Sequence, residues 1–294
     1  MSGSVVVIGN FDGVHRGHQA VLTQARSIAD EQGLRCVVLT FDPHPSEVLG
    51  RGKKPRLASV ERRVELLHRH GADEVIVEPF TLELAAYSPE RFAKEILVAR
   101  LEAKVIVVGS NFRFGAKRVG DIGTLAELGK DLGFEARPAE VAGDAKGPFS
   151  STRVREAIAA GNLAEANEVL GRPHSISGVV VQGDKLGRTI GFPTANLGDI
   201  PEILPPNGVY AVRVEQKQDG SEHLGVCNIG VRPTVSQGLQ LRIEVHLLDF
   251  DADLYGQTLR VEIVGRIREE RKMAGLDALK AQIAKDIDVA RSMF

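Results

Sequence analysis

The first half of the chain alternates short apolar runs with stretches in which apolar residues recur at helical spacing. The runs, rich in valine and isoleucine, predict β-strands at residues 5–8, 36–41, 74–78 and 105–109. The intervening stretches predict α-helices at residues 18–32, 60–69, 89–102 and 124–132. Strands without polar alternation are buried on both faces, so the pattern predicts an α/β unit with a parallel sheet between two layers of helices.

The second half has a different pattern. A helical pattern begins after Ser150-Ser151-Thr152 and runs through Val169, and Gly171 and Pro173 predict its end. Strand-like segments then follow one another without helices, at residues 177–182, 209–216, 224–228, 241–250 and 258–264. This succession predicts a small antiparallel barrel or sandwich. Helical spacing over residues 276–292 predicts a closing helix, and the boundary between domains is predicted to separate residues 1–172 from residues 173–294.

The first predicted strand runs into GNFDGVHRGH, residues 9–18, a glycine-rich loop that opens a helix. His15 and His18 are three residues apart and therefore share a helix face. The N-terminus of a helix attracts phosphate through its free N–H groups and its dipole. Two such histidines alone are more often a surface or capping pair, and a metal site would need further ligands, for which His44 is the one candidate. The glycines and the strand–loop–helix context favour phosphate.

Three further polar segments are predicted at the same edge of the sheet. SSTRVR, residues 150–155, opens a helix, and its hydroxyls are either N-caps or phosphate ligands. Its two arginines oppose the helix dipole unless an anion lies between them. FDPHP (41–45) follows the second strand, and GSNFRFG (109–115) follows the fourth. Binding crevices of open α/β sheets lie at the carboxyl ends of strands, so these segments predict one site.

A second polar cluster is predicted in the second half, in GDKLGR (183–188) and TIGFPTANL (189–197). Asp184 separates the glycine from Lys185, and no helix is predicted to open there, so any ATP site is not a Walker site. Gly183 and Gly187 are equally explained by a β-turn. Residues Thr194 and Asn196 either stabilise a turn or offer oxygen ligands to Mg²⁺.

Glu244 lies in the strand-like segment LRIEVHL, residues 241–247. Ile243 and Val245 share one face of this strand, whereas Glu244 and His246 share the other. On this pattern alone, Glu244 is more often a solvated residue than a catalytic one.

Composition narrows the function classes. The chain has 37 Lys and Arg against 39 Asp and Glu, a net charge of −2, which argues against a broad nucleic-acid or membrane-surface role. The sequence has no apolar run of transmembrane length and no signal-peptide pattern, so a cytoplasmic location is expected. Cys36 and Cys227 lie in apolar strand patterns and are predicted to be buried free thiols, too few for a structural zinc site. The oligomeric state is left open, and a monomer is compatible with the sequence.

The HxGH pattern (His15, Gly17, His18) with SSTxxR (150–155) resembles the nucleotidyltransferase superfamily. The fuller strings GNFDGVHRGH, FDPHP and GSNFRFG resemble the adenylyltransferase module of bacterial bifunctional riboflavin kinase/FAD synthetases. The resemblance implies a Rossmann-like domain that transfers AMP from ATP to FMN by in-line displacement, with His15 and His18 catalytic. It implies that ATP is bound by Gly9, Phe11, Gly13, His15, His18, Ser151, Thr152 and Arg155, and FMN by Asn111, Phe112, Arg113 and His44.

The strings GxxxGRxxGFPTANL, GVCNIGVRPT and EVHLLDF resemble the riboflavin kinase domain of the same family, a six-stranded barrel. The resemblance implies that Glu244 is the base for the ribityl hydroxyl and that Thr194 and Asn196 hold magnesium. The residues implied for ATP and magnesium are Gly183, Lys185, Gly187, Arg188, Thr194 and Asn196.

The chain departs from the family at two positions, and two alternative functions remain open. Some relatives have Asp where this chain has Asn111, an amide better suited to hydrogen bonding flavin, and Met273 stands where relatives usually have Phe. The implied molecules are riboflavin, ATP and Mg²⁺, with FMN and FAD as products. The alternatives are a single-activity adenylyltransferase whose barrel only binds flavin, and a flavin-sensing regulator without turnover.

Overall fold

The computed structural model describes residues 3–183, 186–234 and 238–294. The chain divides into two compact units. The first comprises Met1–Lys54 and Val60–Ser151, and the second comprises Pro55–Ser59 and Thr152–Phe294.

The first unit is built on a five-stranded parallel sheet with the order β3-β2-β1-β4-β5. All four predicted strands are present, each within two residues of its predicted ends. A fifth strand was not predicted because its four residues are half exposed and form no apolar run. The strands are β1 Ser4–Ile8, β2 Arg35–Asp42, β3 Glu74–Pro79, β4 Ala103–Val108 and β5 Glu135–Pro138, followed by the hairpin β6 Gly143–Asp144 and β7 Gly147–Pro148.

Helices cover both faces of this sheet, as predicted. Alternate residues of β1 point to opposite faces: Val5 and Val7 pack with α1 and α3, whereas Val6 and Ile8 pack with the π-helix and α6. The helix predicted at residues 89–102 is instead a short α-helical turn that continues as a π-helix. The elements are α1 Arg16–Gln32, α2 Pro45–Val48, α3 Val60–Arg69, α4 Leu82–Ala85, α5 Pro89–Arg91, the π-helix Phe92–Arg100, a 3₁₀ turn Ala116–Arg118 and α6 Ile122–Leu132.

The strand order creates a switch point between β1 and β4. From β1 the chain proceeds to β2 and β3 on one side, and then returns to β4 on the other side of β1. The connections after β1 and β4 therefore leave the sheet in opposite directions, which opens a crevice at their carboxyl ends. The glycine loop after β1 and the segment after β4 both begin at this crevice.

The second unit begins with two helices where one was predicted. The prediction of a single helix through Val169 is wrong, because the chain turns at Gly161, which has a φ of 74°. The Asn162 side chain then accepts a hydrogen bond from the Glu165 N–H and starts a new helix. The two helices are α7 Ser151–Ala159 and α8 Leu163–Leu170, and Gly171 ends the second in the left-handed conformation, as predicted.

The remainder of the second unit is a closed antiparallel barrel of six strands with the order β10-β11-β12-β9-β8-β13. Of the two predicted architectures, the antiparallel barrel is confirmed and the sandwich is excluded. Strand β9 was not predicted, since it has four residues and no apolar run. The elements are β8 Ser175–Val181, α9 Leu186–Thr189, β9 Ala195–Gly198, β10 Gly208–Gln216, β11 Glu222–Thr234, β12 Gly238–Leu247, β13 Thr258–Arg268 and α10 Leu276–Ser292, the closing helix within its predicted bounds.

Acid is expected to destabilise the second unit through His174. This residue is 1% exposed, and its Nε2 donates a hydrogen bond to the Ile203 carbonyl at 2.8 Å. Burial lowers the pKa of His174 from 6.5 to about 4, so the folded chain keeps the ring neutral where the unfolded chain binds a proton. The free energy of unfolding therefore has its full value with respect to His174 above pH 6.5. It decreases as the pH falls toward 4, by about 3 kcal/mol in all.

Urea denaturation followed by circular dichroism at pH 7.5 and pH 5 measures this effect. The variant His174→Gln serves as the comparison, because it retains a hydrogen-bond donor and cannot titrate. The difference in unfolding free energy between wild type and variant should shrink at pH 5. A difference that does not change with pH would contradict the prediction.

Candidate active sites

The loop after β1 has a strained backbone. Phe11 and Val14 have φ values of 48° and 40°, in the left-handed region that non-glycine residues rarely adopt, and Gly13 has a φ of 80°. Packing holds the two larger residues in place, since Phe11 is 2% exposed and Val14 is fully buried. A Cβ on Gly9 would lie 3.1 Å from the Phe11 ring, so any larger residue there would require the ring to shift by a few tenths of an ångström. Backbone strain held by packing is typical of binding loops.

The two histidines of this loop lie together at the start of α1. His15 is the N-cap and is 5% exposed, and its ring stacks on that of His18 with 3.7 Å between centroids and 23° between planes. The Phe11 ring meets His18 edge-on at 5.1 Å. A Cβ on Gly17 would lie 3.0 Å from both the His15 ring and the Phe149 carbonyl oxygen. The glycine between the histidines therefore permits the close approach that stacks them.

Ser151 connects this loop with the second predicted motif. Its hydroxyl donates a hydrogen bond to the Asp12 carbonyl at 2.9 Å, and Asp12 is 8% exposed. The first hydroxyl of α7 is thus attached to the loop that carries His15.

The rest of that motif lies on α7 in the second unit. Thr152 is exposed, and Arg155 donates from Nε to the Pro55 carbonyl at 2.8 Å. Arg153 forms an ion pair with Glu165 of α8, with 2.5 Å between Nη2 and Oε1. The interpretation that both arginines face an anion is therefore wrong for Arg153, whose guanidinium has a carboxylate partner.

The segment after β2 presents a histidine in a defined tautomer. His44 caps α2, and its Nδ1 accepts a hydrogen bond from the Ser46 N–H at 3.1 Å. An accepting Nδ1 carries no proton, so in the neutral ring the proton is on Nε2. His44 therefore offers an N–H donor on the side of the ring that points away from α2.

The segment after β4 has two exposed polar side chains beside a pair of stacked rings. Asn111 and Arg113 are exposed, whereas Phe112 is half-buried and stacks on Phe114 with 5.6 Å between centroids. Arg113 donates from Nη1 to the Phe112 carbonyl at 2.7 Å. The phenylalanines hold the turn, and the polar side chains remain accessible.

In the barrel, Asn196 of β9 lies directly opposite Glu244 of β12. Residues paired across antiparallel strands project to the same face, so the amide and the carboxylate are neighbours. Glu244 is half-buried, with 27% of its side chain exposed, and Ile243 and Val245 on either side of it point into the core. The predicted alternation of β12 is thus confirmed.

Two glycines, Gly183 before α9 and Gly187 within it, lie close to the two predicted magnesium ligands. A Cβ on Gly183 would lie 2.3 Å from Asn196 Nδ2, and a Cβ on Gly187 would lie 3.2 Å from Thr194 Oγ1 and 2.3 Å from the Phe192 carbonyl oxygen. Any larger side chain at either position would displace these groups. Arg188 is exposed on α9, and Lys185 lies outside the described residues.

Two side chains on the outer face of β12 were not assigned a role from the sequence. Arg242 Nη1 lies 3.3 Å from Glu244 Oε1, and His246 Nδ1 donates to the Pro193 carbonyl at 2.7 Å. The second bond fastens the segment that leads into Thr194 against the strand of Glu244. The alternation that placed Glu244 and His246 on one face was the signal for these contacts, but the carbonyl partner follows only from the fold.

The two free cysteines are unreactive thiols at neutral pH. Burial raises the pKa of the Cys227 thiol to about 12, with a further contribution from the Glu244 charge, and burial raises the pKa of Cys36 to about 11. Both residues are free and buried, as predicted. Neither is a nucleophile at neutral pH.

Comparisons with known proteins agree on two families. The FAD synthetase family matches residues 1–153, and the riboflavin kinase family matches residues 170–294. The bifunctional riboflavin kinase/FMN adenylyltransferase of Escherichia coli (strain K12) is 44% identical over 294 residues, which cover 99% of this chain and 93% of that protein. The protein of the same name from Bacillus subtilis (strain 168) is 40% identical, over 96% of this chain and 90% of that one.

A solved structure has a similar fold and a different description. A crystal structure described as a macrolide-efflux protein from Streptococcus pneumoniae matches with a TM-score of 0.87 and 34% identity, covering 99% of this chain and 94% of that chain. Within residues 3–183, 186–234 and 238–294, none of the helices has the length and apolar character needed to cross a membrane.

Proposed function

The chain belongs to the family of bifunctional riboflavin kinases/FMN adenylyltransferases, and we propose that the two clusters of residues described above are its two active sites. It phosphorylates riboflavin to FMN with ATP, and it adenylylates FMN with a second ATP to give FAD and pyrophosphate. The barrel catalyses the first step, and the α/β unit catalyses the second.

In adenylylation, the FMN phosphate attacks the α-phosphate of ATP and pyrophosphate leaves. The attacking phosphate is already anionic at neutral pH, so neither a protein nucleophile nor a general base is needed. Stabilisation of the charge that moves onto the leaving pyrophosphate is the main task. His15 and His18, at the positive end of α1, supply donors for it. Gly9, Phe11 and Gly13 shape the ATP loop, and Ser151, whose hydroxyl bonds to that loop, contacts the triphosphate. The roles of Thr152 and Arg155 in ATP binding stay predictions from the sequence.

The stacked histidines at the N-terminus of α1 are suited to an anionic ligand. Positive charge on two rings with centroids 3.7 Å apart is unfavourable, and the helix N-terminus adds to the repulsion. A bound triphosphate would offset both effects.

On the flavin side, His44, Asn111, Phe112 and Arg113 are proposed to hold FMN. The segments that carry them follow β2 and β4, on either side of β1. His44 contributes its Nε2–H and Arg113 its charge, both suited to the FMN phosphate, whereas the Asn111 amide suits the polar edge of the flavin ring.

In the barrel, Glu244 accepts the proton of the riboflavin 5′-hydroxyl as that oxygen attacks the γ-phosphate of ATP, and ADP leaves. The carboxylate is half-buried beside Asn196, and Arg242 fixes its orientation. Gly183 brings backbone close to Asn196, and Gly187 brings backbone close to Thr194. Arg188 adds positive charge for the ATP phosphates, and the same role for Lys185 stays a prediction from the sequence.

The residues present fit a magnesium ion. Thr194 and Asn196 offer the oxygen ligands that Mg²⁺ prefers, in a space that a Cβ at Gly183 would fill. The described residues contain no group of three His, Cys, Asp or Glu side chains suited to a metal. Bound there, Mg²⁺ would neutralise charge on the transferring phosphate.

The observation that carries the proposal is the register that sets Asn196 opposite Glu244, together with the stacking of His15 on His18. The test is to supply the purified chain with riboflavin, ATP and Mg²⁺ and to follow products by chromatography. FMN should form first and FAD should accumulate. FAD from added FMN but none from riboflavin would favour the single-activity alternative, and no product from either flavin would favour the sensor.

Gly183→Ala should impair the kinase selectively. The added Cβ would lie 2.3 Å from Asn196 Nδ2, so the amide must move away from its place beside Glu244. We expect the kcat/KM of riboflavin phosphorylation to fall about 10-fold or more, with adenylylation unchanged. Gly275→Ala is the matched control, because nothing lies within 4 Å of a Cβ there. Equal kinase activity in the two variants would contradict the proposed packing.

The proposal involves small-molecule substrates only, and the expectation of no nucleic-acid or membrane partner remains a prediction. A cytoplasmic location is proposed, which the free thiols of Cys36 and Cys227 support.

A further inference from the structure

Arg63 is a buried arginine that contacts the loop after β1 and the last residues of β2, the two segments that lead to His15 and His44 in the proposed adenylyltransferase site. It lies on α3 and is 6% exposed. Its Nη1 donates to the Asn10 carbonyl at 3.0 Å, and its Nη2 donates to the Phe41 carbonyl at 3.1 Å. Asn10 belongs to the loop that leads to His15, and Phe41 begins the segment that leads to His44.

The reason for this contact lies in where the β1–β2 pairing ends. The last register pair is Ile8 with Leu39, and the Leu39 carbonyl accepts from the Gly9 N–H at 3.1 Å. Carbonyls of alternate residues point toward the same neighbouring strand, so the Phe41 carbonyl also points toward β1, which has already ended. A buried carbonyl without a donor is costly. The guanidinium of Arg63 supplies that donor and continues the pairing.

One rigid group therefore joins the loop that follows β1 to the end of β2, where Phe41 still pairs with Glu78 of β3. The guanidinium is planar and always charged, and its donors have a fixed spacing. Thr40 Oγ1 also donates to the Asn10 carbonyl, at 3.1 Å, which fastens the same point from β2. The distance between the Asn10 and Phe41 carbonyls is consequently set by Arg63, and with it the spacing of the segments that bear His15 and His44.

We propose that Arg63 is a positioning residue for adenylyl transfer, which fixes the ATP loop relative to the FMN loop without touching either substrate. The inference rests on the proposed roles of those loops. A group that sets the separation of two reactants acts on the rate of their reaction more than on the binding of either one, because each loop can still bind its own substrate.

Arg63→Met tests this in the full-length chain, because it keeps an unbranched apolar stem and removes both donors. We expect the kcat for FAD formation from FMN and ATP to fall roughly 30- to 100-fold. The dissociation constants of ATP alone and FMN alone, measured by calorimetry, should change less than about 3-fold. Riboflavin phosphorylation in the same sample should be unchanged, which reports that the chain is folded.

Arg62→Met is the matched control. Arg62 is the preceding residue on α3, is 4% exposed, and forms an ion pair with Glu65 at 3.2 Å. Arg62→Met should lower the thermal midpoint of unfolding about as much as Arg63→Met does. Its kcat for FAD formation should change less than about 3-fold. Similar kcat values for the two variants, or a loss in Arg63→Met that lies wholly in substrate affinity, would overturn the inference.

Two further variants complete the test. If Arg63→Met does not fold, Arg63→Lys replaces it in the test, because a single ammonium group cannot reproduce the two spaced donors of the guanidinium. A kcat reduced about 5-fold in Arg63→Lys supports the inference, and an unchanged kcat overturns it. His18→Ala separates the inference from the site assignment. Full adenylylation by His18→Ala would refute the proposed adenylyltransferase site. If His18→Ala loses adenylylation and Arg63→Met keeps it in full, the role of Arg63 alone is refuted.

Discussion

FMN formation should fall about 10²- to 10⁴-fold when Glu244 is replaced with glutamine, while FMN supplied directly is still converted to FAD. Glutamine has the size of glutamate and can still accept the Arg242 hydrogen bond, but it cannot take the proton from the ribityl hydroxyl. The loss is therefore expected in kcat rather than in the KM for riboflavin.

Chromatography of the products from riboflavin and from FMN, in parallel reactions, measures this effect. Glu222→Gln is the control, since Glu222 is an exposed carboxylate at the start of β11, and both activities should persist in it. FMN formation at the wild-type rate in Glu244→Gln would contradict the role of Glu244 as the base. It would also reopen the alternative of a single-activity adenylyltransferase.

His18→Ala is expected to stop the reaction at FMN. The ring that stacks on His15 is lost, and with it a donor at the N-terminus of α1, so charge on the departing pyrophosphate is less well stabilised. Removal of one such donor costs about 10²- to 10³-fold in kcat. The chain given riboflavin and ATP should therefore accumulate FMN at the wild-type rate, with FAD reduced by that factor.

His68→Ala is the control for this variant, because His68 is exposed on α3 and bonds only locally to the Ala72 carbonyl. His18→Gln is a useful intermediate, since an amide keeps a neutral donor and loses the charge. Activity between those of His18→Ala and wild type would indicate that both the hydrogen bond and the charge contribute. FAD production by His18→Ala at the wild-type rate would contradict the assigned role.

The sequence predicted the architecture of both units because the decisive patterns are local. Apolar strand runs, helical spacing and turn residues lie within short windows, and each reports burial directly. The bounds of α3 and α10 match their predicted ranges for this reason. Motifs such as GNFDGVHRGH also lie in one window, so His15 and His18 could be paired before any fold was known.

What escaped prediction depends on contacts between distant segments. Strand β9 has no apolar run, and it is a strand because β8 and β12 supply partners for it. The turn at Gly161 that separates α7 from α8 lies within otherwise helical spacing. Arg63 reads from the sequence as one charge among several on a helix, and its role depends on where β1 ends beside β2.

The shortness of β9 has a consequence for the kinase unit as a whole. This strand of four residues closes the barrel between β12 and β8, and it carries Asn196 just after Thr194. Two register pairs join β9 to β12 and three join it to β8, fewer than join the other neighbouring strands of the barrel within the described residues. We therefore expect the barrel to open at β9 before it opens elsewhere. A substrate held by Thr194 and Asn196 would add its binding free energy to the closed barrel, so we expect the loaded barrel to be the more stable one.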